Sequence, residues 1–257
     1  MNILALDSAT SACSVAVWKG DGIASRRMEK MTRGHAVRLM PMAQEAMADA
    51  GLAFDQLDMV ATTIGPGGFT GLRIGLAGAR AIAMAAAIPI IGFTTFQVIA
   101  HQSMMGVGSS KTAGPKAPLL VVLDARRSDF YFQIFGSDGS PVTQPAAASV
   151  DAIAAAIAAK VASEASNDAL APEASNDALA VCGDGADLIM DALRDQGARV
   201  HRVDGPDTPD AATVATLAYK GAPWDPMSPP EPLYLRPPDA ALPRLPARPA
   251  RPAGAGQ

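Results

Sequence analysis

The sequence predicts an α/β fold with two related lobes. Two observations carry that prediction. Short apolar runs alternate with helix-period stretches from Ile3 to Ser103, and the opening pattern of two strands joined by a short turn restarts at Leu119. A length of 257 residues accommodates one large or two small domains with a sizeable core. Aromatic residues are only 5%, so that core must be built from Ala, Leu, Ile, Val and Met.

Taken in order, Ile3–Leu6 and Cys13–Trp18 are apolar runs separated by the small polar stretch Ser8–Ser11, which predicts a hairpin, with a third strand around Ile23–Met28. Val37, Leu39, Met40, Ala43, Met47 and Ala50 recur at helical spacing over 36–50, and Gly51 stops that helix. Leu57–Ile64 reads as a buried strand. A helix over 70–87, a short strand over 89–92 and a helix over 94–103 follow. Gly106–Pro118, rich in Gly, Ser and Pro, marks the boundary between lobes. Leu119–Asp124 and Phe130–Phe135 open the second lobe, with a strand at Leu179–Cys182 and helices over 186–196 and 209–220 completing it. The expected divisions are therefore 1–105, 106–223 with a loop insert near 163–178, and a Pro- and Arg-rich extended or disordered tail over 224–257. The insert contains a literal repeat, EASNDALA, at Glu164–Ala171 and Glu173–Ala180. The tail holds ten of the 21 prolines between Pro226 and Pro252, and from Arg236 onward four Arg against one Asp, a candidate electrostatic handle for RNA.

Composition narrows function. With 21 Lys and Arg against 25 Asp and Glu, the formal charge is −4, which excludes a globally basic nucleic-acid binder and leaves a local basic patch open. Cys13 and Cys182 each lie in an apolar run, where a buried free thiol is the usual occupant. There is no signal-peptide pattern, and the longest apolar stretch, Leu76–Phe93, is broken by Arg80 and Pro89, so the expected location is cytoplasmic, with no membrane.

Three stretches could carry chemistry. Asp7, at a strand end beside Ser8 and Thr10, is how a phosphate-binding hairpin holds a hydrated Mg²⁺, though such an Asp also caps backbone. Gly65–Gly75, GPGGFTGLRIG, has neither Walker A nor dinucleotide spacing but offers an N–H-rich turn opening a helix. Within that helix Gly71, Gly75 and Ala79 fall at i, i+4 and i+8 and leave one side nearly bare, with Leu72 and Leu76 in the adjacent apolar row. Each interior Gly costs about 0.8–1 kcal/mol against Ala, so another backbone should approach closely, either the protein's own sheet or a partner's helix. His35 has no second His or Cys at ligand spacing, with Leu39 one turn on, so no metal site is predicted.

Taken together, ILALDSATSACSVAVW, GHAVRLMPM, IGPGGFTGLRIGLAGARAIA with IPIIGFTTFQ, and LDARRSDFYF resemble the TsaB (YeaZ) family over residues 1 to about 135, with weaker echoes in CGDGA at Cys182–Ala186 and PLYLR at Pro232–Arg236. The resemblance implies the actin-like, Hsp70-like and sugar-kinase-like (ASKHA) fold. It implies a dimerisation subunit with no activity alone, pairing with TsaD, which transfers threonylcarbamoyl to N6 of adenosine 37 in tRNA, and recruiting TsaE, with tRNA met indirectly through the complex and a homodimer as the isolated form. It turns the bare helix toward a partner: His35, Leu39, Gly71, Leu72, Gly75, Leu76 and Ala79 become the expected interface. Asp7, Ser8 and Thr10 resemble a vestigial first phosphate loop, and Asp124 and Arg126 stand where the second would lie. No cofactor is fixed; the candidates are ATP or ADP with Mg²⁺ at the interface of the complex. The alternatives are an independent ATP-binding kinase or ATPase of this fold and, further off, a metallopeptidase.

Overall fold

The computed structural model describes residues 1–106, 117–126, 128–167, 179–203, 205, 207–221 and 230–236, with backbone alone for 160–167. Most of the Gly106–Pro118 boundary, most of the repeat and most of the tail lie outside the described residues.

The first lobe holds β1 (Asn2–Asp7), β2 (Ala12–Lys19), β3 (Gly22–Lys30), α1 (His35–Asp49), β4 (Met59–Gly65), α2 (Phe69–Ala86), β5 (Ile90–Thr94) and α3 (Thr95–Met104). Its sheet runs β3-β2-β1-β4-β5, antiparallel between β1, β2 and β3 and parallel from β1 through β4 to β5. The second lobe holds β6 (Leu119–Asp124), β7 (Phe130–Phe135), β8 (Ala146–Ala148), α4 (Val150–Asn167), β9 (Leu179–Cys182), α5 (Ala186–Asp195), β10 (Val200–Arg202) and α6 (Ala211–Tyr219). Its sheet, β8-β7-β6-β9-β10, repeats the same order and the same strand directions, and each helix falls in the matching gap. That duplicated βββαβαβα unit is the actin-like architecture.

Both sheets are covered on both faces, which explains why their central strands read as unbroken apolar runs rather than alternating ones. Leu4 and Leu6 face Leu39, Met42 and Met47 of α1 and Ala79 and Ile82 of α2. Ile3 and Ala5, pointing the other way, face Val214, Ala215 and Ala218 of α6. In the second lobe Leu120 and Val122 meet Ile153 of α4 and Ile189 and Leu193 of α5, while Leu119, Val121 and Leu123 meet Phe96 and Ile99 of α3. Helices α3 and α6 thus form the middle layer between the sheets. Residues 211–219 pack on the first sheet, so the 106–223 division does not hold as a packing unit.

The tail assignment also changes in part. Pro230–Arg236 is extended but tied down: the Leu233 N–H donates to the Ile64 carbonyl at 2.7 Å, Arg80 donates to the Pro230 carbonyl at 2.6 Å, and Arg236 pairs with Asp129 in the second lobe. Leu235 packs on the middle-layer core. This strap therefore crosses from one lobe to the other.

Candidate functional site at the two strand-end hairpins

Asp7 ends β1, and Asp124 ends β6 at the equivalent place in the duplicated unit. Their surroundings differ. The Asp7 side chain is fully buried; its Oδ1 accepts from Thr63 Oγ1 at 2.5 Å and from the Ala9 N–H at 3.2 Å, while Oδ2 has no partner. Burial pushes this carboxyl up to about 7, against which the hydrogen bonds from Thr63 and Ala9 pull only partly, and the negative charge of Asp210 pushes the same way as burial.

The turn after Asp7 is roofed by the start of α2. The Gly68 N–H donates to the Ala9 carbonyl at 2.7 Å, and Ser8 Oγ donates to the Gly71 carbonyl at 2.8 Å. A Cβ on Gly67 would stand 2.2 Å from Ala9 O, one on Gly71 2.2 Å from Ser8 O, and one on Gly75 2.8 Å from Ser8 Oγ. The backbone that the bare glycine face demands is therefore the chain's own hairpin. This corrects the expected partner interface: Gly71 and Gly75 press on Ser8, and Ala79 and Leu39 are core. Leu72 and Leu76 are buried too, and His35 Nε2 lies 3.2 Å from the Thr10 carbonyl. The residues expected at two separate sites, an interface and the first phosphate loop, pack against one another, while Asp124 and Arg126 lie apart in the second lobe.

The second hairpin is more open. Asp124 Oδ1 accepts from the Arg126 N–H at 2.7 Å, and the Arg126 guanidinium lies 3.7 Å from Oδ2. Arg126 itself sits at φ 60. Asp184, in the glycine turn before α5, accepts from the Asp124 N–H at 2.9 Å, and burial raises its carboxyl above the usual range. Gly183, at φ +99, repeats the close approach of the first lobe: a Cβ there would stand 2.1 Å from Val122 O.

A hydrated cation with a nucleotide phosphate needs an ionised, reachable carboxylate and free turn N–H groups. The first hairpin offers a sealed carboxyl that holds its proton to near neutrality and a turn already occupied by α2, so its residues do not fit that pair. Among the described residues no three His, Cys, Asp or Glu side chains cluster as metal ligands, and no helix is long and apolar enough to cross a membrane. Cys13 and Cys182 are buried free thiols, both pushed up to about 12 chiefly by desolvation.

Helical periodicity did not distinguish the outer side of the first lobe from its core. Val37 and Met40 are counted with the apolar stripe of α1, yet Val37 is 79% exposed and Met40 is exposed as well; Met84 of α2 is 81% exposed. Pro41, which removes the amide that would bond to the Val37 carbonyl, lies on the same outward side, as do Ala77 and Ala81. The phase of the stripe was the only available signal, and alanine-rich helices blur it.

Comparison with known proteins adds four findings. The family model described as "TsaD: tRNA N6-adenosine threonylcarbamoyltransferase" matches residues 26–220. Escherichia coli "tRNA threonylcarbamoyladenosine biosynthesis protein TsaB" is 35% identical over 138 residues, 54% of this chain and 56% of that protein, and the protein of that name in Haemophilus influenzae is 32% identical over 133 residues, 51% and 52%. The chain thus spans little more than half the length of these curated relatives. The solved structure of YeaZ from Pseudomonas aeruginosa superposes with a TM-score of 0.64 at 23% identity, covering 85% of this chain and 91% of that one, which shows a common fold.

Proposed function

The chain belongs to the threonylcarbamoyltransferase (TsaD) family, and within it we propose that it is a non-catalytic, TsaB-type subunit of the machinery that makes N6-threonylcarbamoyladenosine in tRNA. It pairs with a catalytic TsaD-type protein and, in that pair, supports recruitment of the ATPase TsaE. The observation that carries the non-catalytic reading is the first hairpin. Its carboxyl is sealed and its turn is filled by the chain's own Gly67–Gly75, at the entry and first turns of α2, which argues against an independent kinase or ATPase working through that loop.

The partner surface moves with that finding. It is the outward side of α1 and α2, built from Val37, Met40, Pro41, Ala77, Ala81 and Met84, rather than the buried glycine face. An exposed apolar face on two adjacent helices suits a helical partner, and large side chains at its centre supply most of the binding energy. The same face is available to a second copy of this chain when no TsaD-type protein is present.

The test is titration of the full chain with a TsaD-type protein from the same organism. Met84→Glu should weaken association at least tenfold while leaving thermal stability unchanged, because a charge would be buried only on binding. Unaltered affinity in a double Val37→Glu, Met84→Glu variant refutes this surface.

A further inference from the structure

We propose that the exposed cluster of Phe69, Arg73 and Tyr234, flanked by Arg80, is a contact for single-stranded RNA. The cluster is assembled by tertiary structure alone. Phe69 and Arg73 open α2, and Tyr234 arrives on the Pro230–Arg236 strap, 161 residues later in sequence. The Arg73 guanidinium carbon lies 3.7 Å from the Phe69 ring centre and 5.7 Å from that of Tyr234, Arg73 Nε donates to Tyr234 Oη at 2.8 Å, and the two rings are 5.4 Å apart, tilted by 34°.

These contacts fasten the strap, yet fastening alone would favour burying the rings. Phe69 remains 44% exposed and Tyr234 41% exposed. The cations are also unspent. Arg73 and Arg80 bond to neutral oxygens, those of Tyr234 and Pro230, and among the described residues neither lies within ion-pair distance of a carboxylate. Helix α2 contains no acidic residue, and the nearest acid in sequence on the strap is the exposed Glu231. In a chain of net charge −4, these two cations stand out.

Two partly exposed aromatic rings, Phe69 with Arg73 on one face, beside guanidiniums that pair with no carboxylate among the described residues match what a single strand presents: base faces to stack and phosphates to pair. An acidic peptide would use the cations and leave the rings idle, and a duplex hides its base faces. The choice of RNA rests on the proposed function, which brings tRNA to the complex; the cluster's geometry does not depend on it.

The experiment is fluorescence anisotropy of the full chain with a labelled tRNA anticodon stem-loop, with duplex RNA and heparin as competitors. Phe69→Leu and Tyr234→Leu should each weaken stem-loop binding about tenfold, and Arg73→Gln should weaken it and flatten its salt dependence. No binding, equal binding by the leucine variants, or equal competition by heparin overturns the inference. Should a variant fail to fold, ultraviolet cross-linking of the unaltered protein to the stem-loop decides: adducts at Phe69 or Tyr234 uphold it, and adducts elsewhere overturn it. Titrating the same variants with the TsaD-type protein separates the two readings. Partner binding intact with RNA binding unaltered by the variants sinks the RNA contact alone, whereas loss of all partner binding by the unaltered chain sinks the subunit reading.

Discussion

Replacing Asp7 with Asn should change how stability depends on pH. In the unfolded chain this carboxyl titrates near 3.8, and in the folded chain near 7 because burial disfavours its charge. Below 3.8 it is protonated in both states. Between 3.8 and about 7 the unfolded state has released the proton that the folded state keeps, so unfolding releases a proton and stability falls as pH rises. Above about 7 the folded state holds a buried, ionised carboxylate with an unpartnered Oδ2. At about 1.4 kcal/mol per pH unit, the window of roughly three units is worth about 4 kcal/mol, a large share of the roughly 5–15 kcal/mol typical of a domain. The asparagine side chain keeps the acceptor for Thr63 and Ala9 and does not titrate, but its amide N–H groups lie where Oδ2 has no partner, at about 1–3 kcal/mol. The variant should therefore match or fall below the parent at about pH 4 and exceed it by about 1–3 kcal/mol at about pH 8. Urea unfolding of both proteins at whole pH units between those limits measures this, and subtraction cancels every other titrating group. Curves that stay parallel across the range would falsify the sealed-carboxyl account of the first hairpin.

Three further outcomes follow from the packing. Gly71→Ala should destabilise by about 1–3 kcal/mol despite a better helix propensity, because the new Cβ meets the Ser8 carbonyl at 2.2 Å; Gly78→Ala, whose Cβ meets Leu39 and Met40 at an ordinary 3.5 Å, should stabilise by up to about 1 kcal/mol, and urea midpoints moving in the same direction for both would contradict this. Leu39→Ala should cost about 2–5 kcal/mol, as expected of a core residue and not of an interface one, which thermal melts of the isolated chain decide. Arg236→Ala removes the ion pair with Asp129 and the cation–π contact with Tyr131 and should speed hydrogen exchange at the Leu233 amide; an unchanged rate would show that the strap is held without it.

Much of the fold was legible because the central strands are buried on both faces and interrupted by glycine turns: the predicted β6, β7 and β9 agree with the observed bounds. The elements not predicted carry weak local signals. β8 is three alanines, α4 is an alanine-rich helix with little amphipathic contrast, and β10 is three residues long. The site was legible as residues and not as an arrangement. The glycine spacing announced a close backbone but could not say whose, since the Ser8–Ala9 turn lies about 60 residues away and only the packed fold brings it onto α2. Nor could helical period alone put Val37 and Met40 outside, because α1 is apolar on more than one side. The strap reads in sequence as a proline-rich tail, and its anchoring depends on Ile64, Arg73, Arg80 and Asp129, each far away along the chain.

The central claim is that this chain is needed for threonylcarbamoylation without performing it. The direct measurement is modification of tRNA in vitro by a TsaD-type protein, a TsaE-type ATPase and the carbamoyl-adenylate synthase of the same organism, with and without this chain, and with this chain alone. The account predicts modification only when this chain and the TsaD-type protein are both present, none from this chain alone, and loss of activity in the Val37→Glu, Met84→Glu variant. Modification that proceeds unchanged in its absence, or activity from it alone, would contradict the account.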